Sequence, residues 1–209
     1  MQAFCIVILD YIVKKYIFIF FCFIVFLFSL AIEACNPIAT SKERGKKYFD
    51  LALFVQKQID KLSNQSLLVE KQIYLGGKKQ EILTDSINWA KELALFREAD
   101  INSPALANSY EIKEDKQAHT LSYVAKEDKQ KVREIQLVLG NNGHLESINI
   151  KEVKIVYAEN NQLYEIHRKM SMKVKYEQLY AYSIQGFQKV VLKDSMVYEI
   201  RGLIKHKNQ

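Results

Sequence analysis

The four histidines, at positions 119, 144, 167 and 206, are the side chains best suited to acid–base or metal chemistry near neutral pH. None follows another at the short spacing that brings two imidazoles to one metal ion. His144 comes directly after the turn sequence 141–143, and His167 falls on the polar face of an alternating segment, so both are expected to be solvated. The histidines therefore predict no zinc site.

Hydrolytic chemistry also lacks its usual patterns in this chain. There is no G-x-S-x-G nucleophile elbow, and the lysines after Gly76 and Gly77 lack the rest of a phosphate-binding loop. Adjacent carboxylates at 114–115 and 127–128 lie beside lysines in turn-like segments, whereas glycoside hydrolysis needs two carboxylates at a fixed separation in a cleft. We therefore expect a protein that is not an enzyme and that uses no metal or other cofactor.

The amino-terminal segment has the layout of a secretory signal. Residues 16–30 are fifteen residues without a charge, and Lys14 and Lys15 precede them. A positive region, a short apolar stretch and a small residue before the cleavage point are typical of a signal peptide. Extended to Ile32, the apolar stretch reaches 17 residues, the lower limit for a membrane-spanning helix, so a retained anchor is the alternative.

Cys35 follows this segment directly, with Ala34 as the small residue before it. Ile32 is an aliphatic residue at the third upstream position, while Glu33 departs from the usual small residue at the second. The arrangement resembles the lipobox of bacterial lipoproteins, in which the cysteine receives a diacylglyceryl thioether and becomes the new amino terminus. The resemblance implies that residues 1–34 are a signal peptide, that Cys35 carries acyl chains such as palmitate, and that residues 35–40 are a lipidated tether.

Two consequences follow from this layout. Cys5 and Cys22 lie in the segment to be removed, so Cys35 is the only cysteine of the mature chain and no intramolecular disulfide can form. Residues 1–13 place an apolar stretch ahead of the lysines, where a signal peptide should begin with its charges. We expect the true start of translation near Val13.

The net charge of +6 belongs entirely to the chain after residue 34. A secreted lipoprotein without a recognised binding motif is not expected to bind nucleic acid. Four basic residues close to Cys35 are candidate contacts to acidic lipid headgroups, each contributing about 1 kcal/mol at an anionic surface, with a solvated helical turn as the alternative. They are Lys42, Arg44, Lys46 and Lys47. A second basic row, for which an ordinary wet sheet face is the alternative, comprises His167, Lys169, Lys173 and Lys175.

The segment after the tether alternates between helical and strand patterns. Thr40 and Glu43 fit a capping box, which predicts a helix from there to about Asn64. Residues 67–84 read as a hairpin that turns at Gly76 and Gly77, and residues 86–99 read as a second helix.

From about residue 118 to residue 205, six strands separated by turn clusters predict an antiparallel meander, with its clearest strand at 163–176. A change in the apolar phase predicts a β-bulge near Lys151 and Glu152. Folding the last hairpin about Asp194 would set Gly186 opposite Gly202 and leave a gap in the sheet face.

These elements predict an α+β fold, with two amphipathic helices packed on a curved, mostly antiparallel sheet made of a hairpin and a six-strand meander. Residues 41–209 form its single domain. We expect a small lipid-anchored cell-envelope protein, held in the outer membrane and facing the periplasm, that acts as a binding or structural module.

The first alternative is a periplasm-facing carrier of a hydrophobic ligand, similar in outline to the half-barrel lipoprotein carriers of the Lol pathway. An envelope hydrolase is a third hypothesis without residue support. The expected partners are the membrane, through the lipid anchor, and either a hydrophobic ligand or an envelope protein.

Overall fold

The computed structural model describes residues 46–140 and 149–207. These ranges belong to one compact unit, residues 45–209. The predicted signal peptide, its start near Val13, the tether with Cys35, the candidate contacts Lys42 and Arg44, and His144 lie outside the described residues.

The first helix, α1 (Leu51–Ser63), is shorter than the sequence predicts. Asp50 caps it, because its carboxylate accepts a hydrogen bond of 3.0 Å from the backbone N–H of Leu53. Residues 46–50 are not helical, and the predicted cap at Thr40 lies outside the described part of the chain. One stripe of the helix is buried against the core: Leu51, Val55, Gln58, Ile59 and Leu62.

The predicted second helix is two short helices instead of one. They are α2 (Trp89–Glu92) and α3 (Ala94–Glu98), and a single 3-10 turn follows at Pro104–Leu106. Leu93 ends α2 and begins α3 with φ −99° and ψ 10°, outside helical geometry. Trp89, Leu93 and Phe96, at the helical spacing i, i+4 and i+7, all face the core.

The described residues form nine strands. They are β1 (Leu67–Leu75), β2 (Lys78–Thr84), β3 (Tyr110–Asp115), β4 (Thr120–Ala125), β5 (Val132–Leu139), β6 (Ile150–Asn160), β7 (Tyr164–Lys175), β8 (Gln178–Val190) and β9 (Met196–His206). All neighbouring pairs are antiparallel, in the order β2-β1-β9-β8-β7-β6-β5-β4-β3.

The predicted α+β class, with two helices on a hairpin and a six-strand meander, is therefore wrong. The fold is mainly a nine-stranded antiparallel sheet with little helix. The strand that the sequence does not indicate is β3, in which every residue after Tyr110 is exposed. An edge strand with both faces wet has no apolar alternation from which it could be predicted.

Two local predictions are confirmed. The first hairpin has the predicted bounds, and Gly76 and Gly77 take the positive φ angles of +54° and +84° that its tight turn requires. A register shift between β5 and β6 pairs Leu139 with Ile150 and Val138 with Glu152, which leaves Lys151 as the bulged residue.

The predicted pairing of Gly186 with Gly202 is wrong. Gly186 lies opposite Tyr198, and Gly202 lies opposite Tyr182. The sequence echo placed the turn at Asp194, but the strands turn around Leu192, which lies in the left-handed region with φ 64°. Hairpin register follows the turn, so moving the turn by two residues moves the pairing by four.

The core lies between the helical segment and one face of the sheet. Its sheet side is built from buried residues of β1 and of β3 to β9, and the largest fully buried ones include Ile135, Leu137, Ile155, Met172 and Leu179. Gln58 of α1 fixes the helix to the end of the sheet, because its amide oxygen accepts the backbone N–H of Leu179 at 2.8 Å.

Candidate anion-binding cleft

Arg168 is a charged residue on the apolar face of β7. Side chains alternate along a strand, so Arg168 shares a face with Ile166, Met170 and Met172, all of which are buried. Its neighbours in the sheet are Tyr157 of β6 and Gly186 of β8. Arg168 itself is half-buried. A guanidinium placed inward in this way needs partners that compensate for its partial loss of water.

Gly186 opens the space that Arg168 uses. A Cβ atom at this position would lie 2.0 Å from the backbone oxygen of His167, which is closer than any real contact. Gly186 stands between Arg168 on one side and Tyr198 on the other. Because no side chain intervenes, the Nε of Arg168 donates a hydrogen bond of 3.0 Å to the hydroxyl of Tyr198.

Tyr157 holds the other side of the guanidinium. The Cζ atom of Arg168 lies 5.2 Å from the centroid of the Tyr157 ring, within the range of a cation–π interaction. Among the described residues, no carboxylate lies within ion-pair distance of the Arg168 guanidinium. Two aromatic side chains therefore position the cation, and no anion of the described chain neutralises it.

The carboxylate of Glu159, two residues from Tyr157, by contrast accepts several hydrogen bonds. It accepts hydrogen bonds from the hydroxyl of Tyr157 at 2.6 Å, the hydroxyl of Tyr164 at 2.8 Å and the Nζ of Lys131 at 2.7 Å. The Lys131 ammonium and then the two tyrosine hydroxyls hold the pKa of Glu159 at about 2, well below its usual range. Glu159 therefore stays ionised and fixes the Tyr157 ring that stands beside Arg168.

Burial is the main cause that raises the pKa of Tyr157 to about 12, and its hydrogen bond to Glu159 adds to the effect. The phenol is thus held in its neutral form, as a hydrogen-bond donor to the carboxylate. The same carboxylate raises the pKa of Lys131 through their hydrogen bond. Every charge in this group except that of Arg168 is paired.

Arg168 and Tyr157 line a cleft of about 560 Å³ between the sheet and the helical segment. We call it the Arg168 cleft. Its sheet wall includes Tyr110, Val132, Tyr157, Arg168 and Met170, and its other wall includes Leu95, Glu98, Ala99, Asp100 and Leu106. A volume of this size is typical of small-molecule sites. The lining mixes apolar side chains with polar and charged ones, and Lys129, Gln130 and Lys131 are among the latter.

The acidic residues of the cleft have structural partners or face solvent. One carboxylate oxygen of Asp100 accepts the backbone N–H groups of Leu51 and Ala52 at the start of α1, and the other accepts the N–H of Asn102. Glu98 is exposed. The cleft therefore offers a planar cation with free Nη atoms, which matches a carboxylate or phosphate group in two-point contact.

Two of the predicted membrane-surface residues fall within the described range. Lys46 forms an ion pair with Asp50. The Nζ of Lys47 donates a hydrogen bond of 2.7 Å to the side-chain oxygen of Asn108 and lies 5.9 Å from the Tyr48 ring centroid. Both lysines are exposed, and the structure does not bring them to the Arg168 cleft.

The predicted basic row lies on the opposite face of β7. His167 forms a contact of 3.1 Å with Glu165 and stacks on Phe187, with 4.8 Å between ring centroids. Lys169, beside this stack, lines a second cavity of about 560 Å³ with Phe187 and Val197. Lys173 lines a separate hollow of about 410 Å³. This face is wet and moderately basic.

Within residues 46–140 and 149–207, no group of three or more histidine, cysteine or acidic side chains is placed to hold a metal ion. The helices of the same ranges are all too short or too polar to cross a bilayer.

No family model matches the chain. Similarity searches among curated proteins and among solved structures also find no match. The functional assignment therefore depends on the geometry of the chain itself.

The position of Arg168 in the alternating pattern of β7 could have identified it from the sequence, whereas its residue type alone could not. In the alternating segment 163–176, the inward positions are Tyr164, Ile166, Arg168, Met170, Met172 and Val174, and Arg168 is the only charged residue among them. Its partners Tyr157, Gly186 and Tyr198 come from three other strands, so they require the sheet register to be known.

Proposed function

We propose that the protein is a small lipid-anchored protein of the cell envelope whose folded domain binds a small anionic ligand in the Arg168 cleft. The amino-terminal pattern around Cys35 supports the lipid anchor. The outer-membrane location and the orientation toward the periplasm are part of the same proposal. The cleft supports a binding role without a catalytic step.

The observation that carries the binding role is the unneutralised guanidinium of Arg168. It is half-buried, it lines a cleft of about 560 Å³, and it is positioned by Tyr157 and Tyr198. Hydrogen bonds from a charged donor in such surroundings are about twice as strong as neutral ones. A ligand with one carboxylate or phosphate group and an apolar or aromatic body fits both the cation and the lining.

The packing between helix and sheet supports this role over that of a hydrophobic carrier. A carrier needs an enclosed apolar cavity of several hundred Å³ at the centre of the domain. The centre is instead occupied by side chains that are almost fully buried, among them Met170, Met172 and Ile184. Between the helices and the sheet, the space available to a ligand is at the rim, where Arg168 lies.

The test uses benzoate and phenyl phosphate as anionic probes and benzyl alcohol as the neutral probe of similar size. We expect both anions to raise the melting temperature of the full chain in detergent, and benzyl alcohol to leave it unchanged. The variant Arg168→Gln should bind the anions about 10- to 100-fold more weakly, the loss expected for one charged hydrogen-bonding group.

Arg201→Gln is the matched control, because Arg201 is an exposed arginine on β9 that pairs with Glu199. It removes the same charge from the same sheet outside the cleft. Anion binding that is equal in both variants would refute the Arg168 site. Binding of benzyl alcohol as strong as that of benzoate would show that the apolar lining, and not the cation, selects the ligand.

A further inference from the structure

Large apolar side chains protrude into solvent at one end of the sheet. The fully exposed Leu192 and the half-exposed Val191 lie in the turn between β8 and β9, and Leu163, which is 69% exposed, lies in the turn between β6 and β7. Met196 and Val197, at the start of β9, are also exposed. Exposed apolar residues concentrated in one place, unlike scattered ones, indicate an interaction site.

The two turns are joined into one structure. The backbone N–H of Val191 donates a hydrogen bond of 2.9 Å to the carbonyl of Leu163. We call this joined pair of turns the apolar tip, comprising Leu163, Val191, Leu192, Met196 and Val197.

The conformation of Leu192 argues that its side chain is not there to assist folding. Its φ of 64° lies in the left-handed region, where glycine or asparagine is the favoured residue of a turn. The side chain makes no use of the core, because it is completely exposed. A leucine in this position is unfavourable for folding, because its backbone is strained and its apolar side chain is exposed to water. This combination points to a role in binding.

Cations flank the apolar tip. Lys189 precedes it on β8, and Lys193 lies within the turn; both are exposed, and within the described part of the chain neither forms an ion pair. Apolar side chains at the outermost point with lysines behind them match the depth profile of a bilayer with anionic headgroups.

The apolar tip lies at the end of the sheet where the chain enters the domain. The turn between β6 and β7 is at the same end as the start of β5, because Val132 pairs with Tyr157. Tyr110 donates a hydrogen bond to the carbonyl of Val132, and the N–H of Tyr110 bonds in turn to the hydroxyl of Tyr48. Lys47 lies twelve residues after Cys35, a span of at most about 43 Å. A lipid on Cys35 is therefore within reach of a membrane that the apolar tip touches.

We propose that the apolar tip inserts into the interface of an anionic lipid bilayer. The side chains project from two turns instead of lining a groove, so they need no complementary surface, and the fluid edge of the acyl region can accept them. Lys189 and Lys193 then lie at the level of the headgroups. The proposal rests on the envelope location proposed above, but insertion itself does not require the lipid on Cys35.

The test places a tryptophan at the apolar tip and measures its quenching by lipids that carry bromine on their acyl chains. Leu192→Trp in the full chain is compared with Tyr176→Trp, a matched control at the opposite end of β7. Tyr176 is 89% exposed and has a φ of 52°, so both sites are exposed turns in the left-handed region. The native Trp89 is buried and adds the same background to both variants.

In vesicles that contain phosphatidylglycerol, we expect bromolipids to quench the Leu192→Trp protein about twofold more than the Tyr176→Trp protein. Replacing Lys189 and Lys193 with glutamine should reduce this difference, as should vesicles of pure phosphatidylcholine. Equal quenching at both positions would overturn the proposal. It would also be overturned if the fluorescence of the Leu192→Trp protein changed only on adding a second copy of the chain or another protein, and not on adding vesicles.

The same pair of variants in a Cys35→Ala background separates this proposal from the anchor. If membrane association falls but the remaining vesicle-bound protein still shows preferential quenching at position 192, both proposals stand. If association is unchanged while the quenching preference persists, the anchor fails and the insertion stands. If quenching at position 192 is no stronger than at position 176 in either background, the insertion proposal fails and the anchor proposal is unaffected.

Discussion

Arg168 and Glu159 lie on the same face of the sheet but in opposite electrostatic situations. Glu159 accepts hydrogen bonds from three donors, whereas Arg168 has aromatic partners and, among the described residues, no anion. A paired charge at the rim contributes to stability, and an unpaired one is available to a ligand. Arg168 is therefore the residue expected to bind an anion, and Glu159 is the residue whose ionisation is expected to affect stability.

The pKa of Glu159 predicts a specific acid response. It is about 2 in the folded protein and about 4.3 in an unfolded chain, so the unfolded state takes up the proton first as the pH falls. The stabilisation is fully present above pH about 4.3 and is lost as the pH falls toward about 2. The free energy of unfolding of the Glu159→Gln variant should be lower than that of the wild type at pH 7 and equal to it near pH 2, as measured by urea denaturation.

Glu81→Gln is the control for this experiment. Glu81 forms an ion pair with Lys79, but both side chains are about 60% exposed, so little stability should depend on it. If Glu159→Gln and Glu81→Gln give the same small difference at every pH, the three donors of Glu159 do not stabilise the fold.

For single residues, the sequence predicts the local backbone conformation better than it predicts which residues lie next to each other in the sheet. Gly76 and Gly77 are predictable because a tight hairpin needs positive φ angles, and Lys151 is predictable because the apolar phase changes there. Gly186 is recognisable as a gap but not as the gap beside Arg168. That relation depends on the register between β7 and β8, which is set by the turn at Tyr176 and Glu177 and by a bulge after Lys173.

Among the elements, α1 depends on one polar residue at its buried face. Gln58 is only 3% exposed; its amide oxygen accepts the N–H of Leu179, and its amide nitrogen donates to the carbonyl of Glu177 at 3.3 Å. The bond at Leu179 satisfies a buried backbone group at the start of β8. Gln58 therefore sets the position of the helix along the sheet, which the apolar stripe alone does not fix.

We expect Gln58→Leu to destabilise the protein by about 1 to 3 kcal/mol, although it makes the helix face more apolar. The reason is that the buried N–H of Leu179 loses its acceptor. The midpoint of urea denaturation should fall with an unchanged slope. Gln56→Leu is the matched control, because the Gln56 amide makes only exposed contacts to Asp60 and Arg97. A Gln58→Leu protein as stable as Gln56→Leu would contradict this account.

The elements also show where patterns stop being informative. Strong alternation locates β1, β2 and β7 to within a residue or two of their observed bounds. The apolar spacing of residues 86–99 predicts one helix, yet Leu93 interrupts it. Trp89, Leu93 and Phe96 keep helical spacing and are all buried, so the apolar pattern does not reveal the break. The pattern also fails to predict β3, because every residue of this strand after Tyr110 is exposed and no apolar alternation results.

At the scale of the whole molecule, the proposed anchor can be tested without changing the described domain. We expect Cys35→Ala to move the protein from the membrane fraction to the soluble fraction once the signal peptide is removed, because several acyl chains give stable anchoring and no other lipidated residue is predicted. Fractionation followed by immunoblotting measures this. Unchanged membrane association of the processed Cys35→Ala chain would refute the lipoprotein assignment.

The pairing of β1 with β9 has a consequence for how the chain acquires its structure. Leu67 lies opposite His206, so one edge of β1, the first described strand, stays uncovered until β9, the last described strand, has been synthesised. Contacts this distant in sequence slow folding, and an unpaired strand edge is open to aggregation in the meantime. The hairpin of β1 and β2 can therefore form early, but the other edge of β1 stays unpaired until β9 docks on it. A chaperone that protects exposed strand edges would have its longest opportunity to act on this segment.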